Sequence, residues 1–560
     1  MGLPTWKSEL YFEYHRGVYT TQAKHKEGNR KSEVATLDAE KLASFAWLQG
    51  RAYPADELTE SWKKITFNQF HDLAAGSGIA VIYRDAAKEY AEVFHSDAEI
   101  SAGALGALSA GVDTRVKTGV PVLVTNAMGW PRSETVMLKV QLPEDAKGVK
   151  LVDERGRTLV SQVVSQDAAT HQFTVLARVE DVPALGYRVI RAEAGEGAGS
   201  ELKKEENPGK FVLANGRMKL VIDRANGCIT SLMAGGKEFL AAGACGNQLQ
   251  TFKDTPTKYD AWNIDPGTLD GTMTPVSEVD SVALVADGPL RKTVRVTRTW
   301  QSSKFVQDIS LDAGADEALV DNSVDWHETH VLLKAAFALA ASGPKATYEI
   351  PYGAIERTTL RTNSWEKAQF EVPALRWADL GDASQGFSLL NDSKYGYDAA
   401  GNVLRLTLLR SPTWPDADAD RGMQHFTYAL YPHAGDWKTA MTVRRGYELN
   451  DPLKAEQVFA HGGAAPASAS WGGVENANVT LTAVKKAEDA DALVYRMYEW
   501  AGTATEVKLH VAPGASYAVE SNLMEKVEGG RLSMSGDVVT VPIKPFEILT
   551  VEVVYAGKVK

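Results

Sequence analysis

Cysteine is scarce in this sequence of 560 residues, which contains only Cys228 and Cys245. Two cysteines are too few for a disulfide framework or for a zinc site built from thiolates, and a low count is typical of proteins from a reducing compartment. The sequence also has no apolar run long enough to span a bilayer and no basic-then-apolar segment at its start. We therefore expect a cytoplasmic protein with no membrane partner.

An excess of positive charge is also missing. Asp and Glu together number 72 and Lys and Arg together number 60, which gives a formal net charge of -12 at pH 7. Such a balance argues against binding to nucleic acid or to an anionic membrane surface. An uncharged ligand such as a sugar is more compatible with this composition.

Helical spacing of apolar residues is confined to the first part of the chain. It occurs in residues 28–49, again from Asp56 to Gly76, and a third time in residues 79–110, with short breaks between these segments. After Gly111 the apolar residues alternate with polar ones, which is typical of strands. At this length a chain forms several domains. The pattern predicts an α+β multidomain protein, in which an antiparallel three-helix bundle is followed by mostly antiparallel β-sandwich domains.

Two segments near the N-terminus carry candidate chemistry. Residues 9–22 mix aromatic and charged side chains without a clear period, so they suit either a pocket for a polyhydroxylated ligand or an amphipathic packing segment. His71 and Asp72 follow the second predicted helix and are expected on its last turn. A histidine there is either a metal ligand or a capping or buried residue, and one imidazole does not make a zinc site.

Several motifs, in the same order, resemble those of glycoside hydrolase family 38 α-mannosidases, particularly the bacterial and cytosolic branch. They are LPTWKSELYFEYHRGVYTTQ (3–22), NQFHD (68–72), KYDAWNID (258–265), IPYGAIERTT (350–359), LLNDSKYGYD (389–398), LLRSPTWPDADAD (408–420), FTYALYPHAGDW (426–437) and PFEILTV (545–551). The resemblance implies that His71 is a zinc ligand and that Asp72 contacts substrate hydroxyls. It also implies that His15 and Arg410 approach the bound sugar.

The resemblance further implies a domain order. It consists of a remnant of the catalytic-domain edge (1–27), the three-helix bundle (28–115), a small β-sandwich (116–198), a large galactose-mutarotase-like supersandwich (199–462) and a C-terminal β domain (463–560). In the family, the nucleophile, the acid/base carboxylate and the other zinc ligands lie on an α/β barrel that precedes the segment LPTWKSEL. We therefore expect no catalytic residue in this chain, and we expect that the chain alone neither holds zinc tightly nor hydrolyses mannosides.

The implied partners are a mannosyl oligosaccharide or glycan and the barrel domain, with a homo-oligomer as another possibility. Two alternatives remain open: a non-catalytic carbohydrate-binding β-sandwich protein, and a half-enzyme completed in trans by a barrel subunit. Residues 3–24 should expose apolar surface where a barrel would dock. The acidic run Asp416–Asp420 lacks the glycine and glutamate of an EF-hand loop, so we expect a solvated turn there instead of a calcium site.

Overall fold

The computed structural model describes Leu3 and residues 5–555 of the chain. It is a multidomain, β-rich protein, and the named strands of the described residues pair in antiparallel fashion. Within that part of the chain no helix has the length and apolar character needed to cross a membrane.

Most of the helical structure lies before residue 111. The helices are α1 (Ala23–Leu48), α2 (Ala55–Asn68), α3 (His71–Ala74), α4 (Ala80–Ala110), α5 (Ser364–Ala368) and α6 (Thr442–Asn450), and a 3₁₀ turn covers Gly17–Tyr19. Residues 23–110 thus hold four helices, three long and one short, where the sequence predicted three. The placement of His71 on the last turn of α2 is wrong, because the backbone is extended at Phe70 (φ -53°, ψ 145°) and His71 begins α3.

The three long helices meet around one buried carboxylate. Asp97 of α4 accepts hydrogen bonds from Thr36 of α1 at 2.5 Å and from Ser61 of α2 at 2.9 Å. A small apolar cluster surrounds this contact and consists of Ala39, Ala43, Leu58 and Ile100. Buried polar groups that are paired in this way fix the relative positions of the helices that carry them.

The strands follow in chain order. The first group is β1 (Val120–Asn126), β2 (Arg132–Gln141), β3 (Val149–Val152), β4 (Ser161–Asp167), β5 (Gln172–Val182), β6 (Gly186–Ala194), β7 (Lys203–Asn207), β8 (Lys210–Ala214), β9 (Met218–Asp223), β10 (Ile229–Ala234), β11 (Lys237–Glu238) and β12 (Gln248–Lys253). The second is β13 (Thr274–Pro275), β14 (Ser281–Asp287), β15 (Arg291–Trp300), β16 (Ser303–Asp312), β17 (Ala318–Trp326), β18 (Val331–Ala338), β19 (Lys345–Ile350), β20 (Gly353–Thr358), β21 (Val372–Pro373), β22 (Trp377–Gly381), β23 (Gln385–Asn391), β24 (Gly396–Ala400), β25 (Val403–Leu409) and β26 (Gly422–Ala434). The third is β27 (Lys454–Gln457), β28 (Ser468–Ser470), β29 (Gly473–Val474), β30 (Val479–Lys486), β31 (Ala492–Glu499), β32 (Thr505–His510), β33 (Tyr517–Ser521), β34 (Val527–Arg531), β35 (Ser533–Ser535), β36 (Val538–Ile543) and β37 (Ile548–Val554).

The largest core lies in the middle of the chain. A nine-stranded sheet has the order β14-β15-β16-β17-β26-β23-β22-β19-β20, and a six-stranded sheet has the order β13-β12-β18-β25-β24-β21. The strands β11-β10-β9-β8-β7 form a further sheet, and apolar side chains from all three sheets share one buried cluster. Burial of this apolar surface is the main term that stabilises the central region.

Two smaller β regions flank this core. Strand β1 pairs with β6 and with β27, while β28 pairs with β6 and β2-β5-β4 form a separate sheet. The chain therefore returns at residues 454–470 to the sheet that it began at residue 120. The last sheets, β29-β32-β36-β35 and β30-β31-β37-β33-β34, share an apolar core with α1 and α4. The sequence-based domain boundaries remain predictions.

The two cysteines form a disulfide between Cys228 and Cys245, with their Cα atoms 5.0 Å apart. An antiparallel bridge between Ile229 and Gly246 sets the cysteines side by side. The low cysteine count suggested a reducing compartment, and that expectation stays a prediction. Local sequence could not reveal the pairing, because the contact depends on a bridge between residues 17 positions apart.

Candidate functional site

The first described residues lie on the surface and are held at two points. Glu9 forms a bidentate ion pair with Arg357, at 2.5 and 2.8 Å, and the Tyr11 hydroxyl donates to the backbone carbonyl of Glu371. The exposed apolar side chains of this segment are Leu3, Trp6, Leu10, Phe12 and Tyr14. The apolar surface expected for residues 3–24 is thus present up to Tyr14, whereas residues 20–23 are buried.

Arg410 joins the end of this segment to the β-rich region and is fully buried. Its Nε donates to the Asp254 carboxylate at 2.7 Å, and Nη1 donates to the Thr21 hydroxyl at 3.0 Å. The terminal nitrogens also donate to three backbone carbonyls at 2.9 Å, those of Asp260, Ala261 and Asn263. All five N–H groups are therefore used by protein oxygens. In this structure Arg410 therefore positions its neighbours, and the substrate-binding role that the resemblance implies for it stays a prediction.

Lys26 links the same segment to α3. Its buried ammonium donates to the carbonyl of Thr21 at 2.6 Å and to the carbonyl of Ala74, the last residue of α3, at 2.9 Å. Burial lowers the pKa of Lys26 to about 7, while the nearby Asp420 carboxylate acts in the opposite direction. Gly76, at φ +78°, lies so close to the Thr21 carbonyl that a side chain would collide with it. Residues 14–22 and α3 are thus held together.

His71 and Asp72 are the exposed pair on this part of the surface. Their side chains are 76% and 51% exposed, and the His71 Nε2 atom lies 3.3 Å from Asp72 Oδ2. The His71 ring also packs on Phe70, with ring centroids 4.3 Å apart. Below the surface, the Tyr83 hydroxyl donates to the Asp72 carbonyl at 3.0 Å and fixes the backbone. A basic and an acidic group are therefore presented together to solvent on a short, well-held helix.

His15 lies on the neighbouring segment. Its ring packs on Phe12 at a centroid distance of 4.3 Å, and Nδ1 is 3.3 Å from the Glu13 carbonyl. His15 is followed directly by the buried Arg16, whose guanidinium donates to the Ala368 carbonyl at 2.9 Å. This contact fixes the backbone next to His15 near the surface. His15 precedes Thr21, which contacts Gly76, by six residues in the sequence.

An aromatic loop completes the surface. The Trp262 and Trp414 rings pack at a centroid distance of 5.4 Å, and Trp414 is 59% exposed. Asp260 fixes this loop, because its carboxylate accepts from the Thr413 backbone N–H at 2.8 Å and lies 3.0 Å from His330 Nε2. Neither Trp414 nor His330 was expected at the site from the sequence, although Trp414 lies within the matching motif LLRSPTWPDADAD. We call α3, residues 14–22, residues 254–265 and residues 410–416 the His71 face.

The acidic run behind this face is not a solvated turn. Asp416 and Asp420 are buried, and only Asp418 among the three aspartates is exposed. Asp420 accepts from the backbone N–H groups of Gln22 and Ala23 at 3.1 and 2.6 Å and so caps the start of α1. Burial raises the pKa of Asp420 to about 6. The expected solvated turn is therefore wrong, and the reason is that the helix start requires acceptors.

The donor set for a metal ion is incomplete in this chain. No group of three or more His, Cys, Asp or Glu side chains suited to a metal occurs in Leu3 and residues 5–555. A catalytic zinc site uses about three protein ligands and one open position. His71 with Asp72 supplies at most two, so the described residues do not by themselves fit a zinc ion.

Three sequence-family models match the chain. Residues 13–108 match the alpha mannosidase middle domain, residues 213–418 match the glycosyl hydrolases family 38 C-terminal domain, and residues 478–551 match the glycosyl hydrolases family 38 C-terminal beta sandwich domain. The first match contains His15, His71 and Asp72, and the second contains Arg410.

Curated relatives are similar over nearly the whole chain. Alpha-mannosidase 2C1 of Mus musculus is 33% identical over 556 residues, which cover 98% of this chain and 50% of the relative. Alpha-mannosidase G of Dictyostelium discoideum is 30% identical, over 98% of this chain and 52% of the relative. The chain thus spans about half the length of the curated relatives it matches.

A solved structure shows the same fold. The crystal structure of an alpha-mannosidase from Enterococcus faecalis V583 superposes with a TM-score of 0.81 at 16% identity, over 96% of this chain and 68% of that chain. At this identity the similarity establishes the architecture alone.

Proposed function

Since the chain carries the middle, C-terminal and C-terminal β-sandwich domains of glycosyl hydrolase family 38, we propose that it is the C-terminal portion of a retaining α-mannosidase. The complete enzyme would remove α-linked mannose from glycans or oligosaccharides. The observation that carries this proposal is the exposed His71–Asp72 pair, held beside aromatic side chains within the matched middle domain.

The proposed roles follow from the chemistry of the exposed groups. The Asp72 carboxylate accepts hydrogen bonds from sugar hydroxyls, and aromatic side chains such as Trp414 offer flat apolar surface to the C–H face of a sugar ring. We assign His15, six residues before the contact of Thr21 with Gly76, to the same surface. Arg410 and Asp420 would contribute without touching the sugar, because their hydrogen bonds hold residues 17–23 in place.

Cleavage requires more than this surface offers. A retaining glycosidase uses two carboxylates about 5 Å apart, one as nucleophile and one as acid and base. On the His71 face, Asp72 is the exposed carboxylate, whereas Asp254 and Asp260 are committed to internal hydrogen bonds. We therefore assign the nucleophile and the acid/base group to residues outside this sequence. Zinc, when bound in the complete enzyme, would help to hold sugar hydroxyls, and His71 is the ligand that this chain would contribute.

The exposed apolar residues beside His71 suit a further domain. Phe67 on α2 and Phe70 between α2 and α3 are exposed, and so are Leu10, Phe12 and Tyr14 on the first segment. Large side chains exposed in such groups mark interaction surfaces. We assign them to the contact with the barrel domain that would complete the active site, supplied in the same chain or in trans.

The test is hydrolysis of an aryl α-mannoside by the purified chain, alone and mixed with a separately produced family 38 barrel domain, with and without added zinc or cobalt. We expect turnover only in the mixture. Turnover by the chain alone would contradict the assignment of catalytic groups to residues outside it, and an inactive mixture that forms a stable complex would count against the proposed function.

A matched pair of variants ties activity to the His71 face. His71→Ala should reduce turnover of the active mixture at least tenfold, because the imidazole that would bind the metal ion is lost. His95→Ala is the control, since His95 lies on α4, is 77% exposed and makes a comparable contact with Glu99 at 3.5 Å. Equal activity of the two variants would rule out a role for His71.

A further inference from the structure

A cleft beside the helices is lined by neither His71 nor Asp72. It is a cleft of about 1420 Å³ between α1 and α2 on one side and the turns and strands around residues 351–376 and 482–496 on the other. Ligand pockets usually enclose about 300 to 1,000 Å³. The cleft therefore has room for several sugar rings and is larger than one small ligand needs.

Aromatic side chains form much of the cleft wall. They are Trp47, Tyr53, Trp62, Tyr352, Tyr395 and Tyr447. Trp62 is held in place because its indole N–H donates to Glu40 at 2.9 Å, and Tyr395 is fixed by the Arg30 guanidinium, which donates to its hydroxyl at 3.0 Å. A basic side chain already covers one face of three of these rings: Lys486 on Trp47, Arg30 on Tyr395 and Arg376 on Tyr447. Rings of fixed orientation suit the C–H faces of sugars, and here a sugar would use their other faces or the remaining rings.

Polar groups at one end of the cleft offer both donors and acceptors. The Gln69 amide donates to Glu33 at 2.7 Å and to Asn29 at 3.1 Å, which sets three side chains side by side. The neighbouring Arg30 Nη2 is buried and has no hydrogen-bond partner among the described residues. Sugar hydroxyls both donate and accept, so such a mixed set of side chains suits them better than a set of one kind.

The charge of the cleft is compatible with an uncharged ligand. Three of its basic residues are already paired with carboxylates, Lys63 with Glu60, Arg376 with Glu349 and Lys485 with Glu488. The remaining basic residues Arg30, Arg51, Lys486 and Arg496 share the cleft with the acidic residues Glu33, Glu40 and Asp491. Burial raises the pKa of Glu40 to about 7, so the unpaired groups leave a small excess of positive charge. An excess of this size does not by itself select a strongly charged group.

We propose that this cleft binds a neutral oligosaccharide of at least three hexose units, as a second glycan site distinct from the His71–Asp72 pair. Gln69, at one end of the cleft, is two residues before His71, so a branched glycan could extend from one site to the other. The choice of a mannose oligosaccharide as the probe rests on the proposed function. The inference that the cleft binds an oligosaccharide rests on its size and its lining residues.

The experiment is calorimetric titration of the purified chain with a linear α-linked manno-oligosaccharide of four units. We expect saturable binding that Gln69→Ala weakens about fivefold, the effect of losing one hydrogen bond of about 1 kcal/mol. Gln172→Ala is the matched control, because Gln172 is an exposed glutamine on β5, outside the cleft. His71→Ala should leave this binding unchanged.

Three results would overturn the proposal: no saturable binding to the unaltered chain, equal weakening by Gln69→Ala and Gln172→Ala, or loss of binding in His71→Ala alone. The last result would place the oligosaccharide on the His71 face and would leave the proposed function intact. If binding depends on Gln69 but the mixture with a barrel domain is inactive, the cleft is supported as a binding site and the proposed function is contradicted.

Discussion

Replacing Arg410 by lysine tests whether one buried side chain holds the His71 face together. Lysine keeps the positive charge opposite Asp254 but has three N–H donors where arginine has five. At least two of the five acceptors would then remain unsatisfied in a buried site, and each such loss costs about 1 to 3 kcal/mol. We expect Arg410→Lys to lower the free energy of unfolding by about 2 to 6 kcal/mol.

Urea unfolding measures this loss, and amide hydrogen exchange locates it. The amides of residues 17–22 should exchange faster in the variant for two reasons. Thr21 loses its hydrogen bond from Arg410. The Gly17 N–H donates to the carbonyl of Trp262, which lies in the loop that Arg410 holds. Arg421→Lys is the control, since Arg421 pairs with Asp418 at 3.3 Å on the surface and such pairs contribute less than about 1 kcal/mol. If Arg410→Lys unfolds like this control and residues 17–22 stay protected, the positioning role of Arg410 is refuted.

Two further predictions concern Glu40 and the disulfide. Burial raises the pKa of Glu40 from 4.5 to about 7, so its stabilising contribution is complete below pH 4.5 and is lost as the pH rises through 7. Between pH 4.5 and pH 7 the wild-type protein should lose about 3 kcal/mol of stability relative to Glu40→Gln. Urea unfolding across this pH range measures the difference. If the stability of both proteins changes equally with pH, burial of Glu40 is not the cause. Reduction of the disulfide between Cys228 and Cys245, which closes a loop of sequence separation 17, should cost about 3 kcal/mol of stability. The double variant with both cysteines replaced by serine should be insensitive to reductant, and two free thiols in the untreated protein would show that the bond is absent.

The sequence was most informative where neighbouring residues act together. The change from helical to alternating spacing near residue 111 predicted where helices give way to strands. The motif around His71 drew attention to His71 and Asp72, whose roles as zinc ligand and substrate contact stay predictions. The sequence was least informative where partners are far apart in the chain. The start of α1 was predicted at residue 28, but Asp420 provides the cap at residues 22 and 23. No local pattern contains that information, because the acceptor lies 397 positions from Ala23.

The same separation explains how the site depends on the fold. Residues 17–23 belong to the matched middle domain, yet their hydrogen-bond partners Arg410 and Asp420 lie between β25 and β26 of the central β region. The segment that carries His15 is therefore positioned only when the β-rich region is folded against it. The same holds for the end of α3, because Lys26 joins Ala74 to Thr21. A short polar segment could not maintain this arrangement alone, since its ordering costs about 1 to 2 kcal/mol for each residue. The β-rich part of the chain is thus a structural component of the His71 face, because it fixes the backbone from which the exposed residues project.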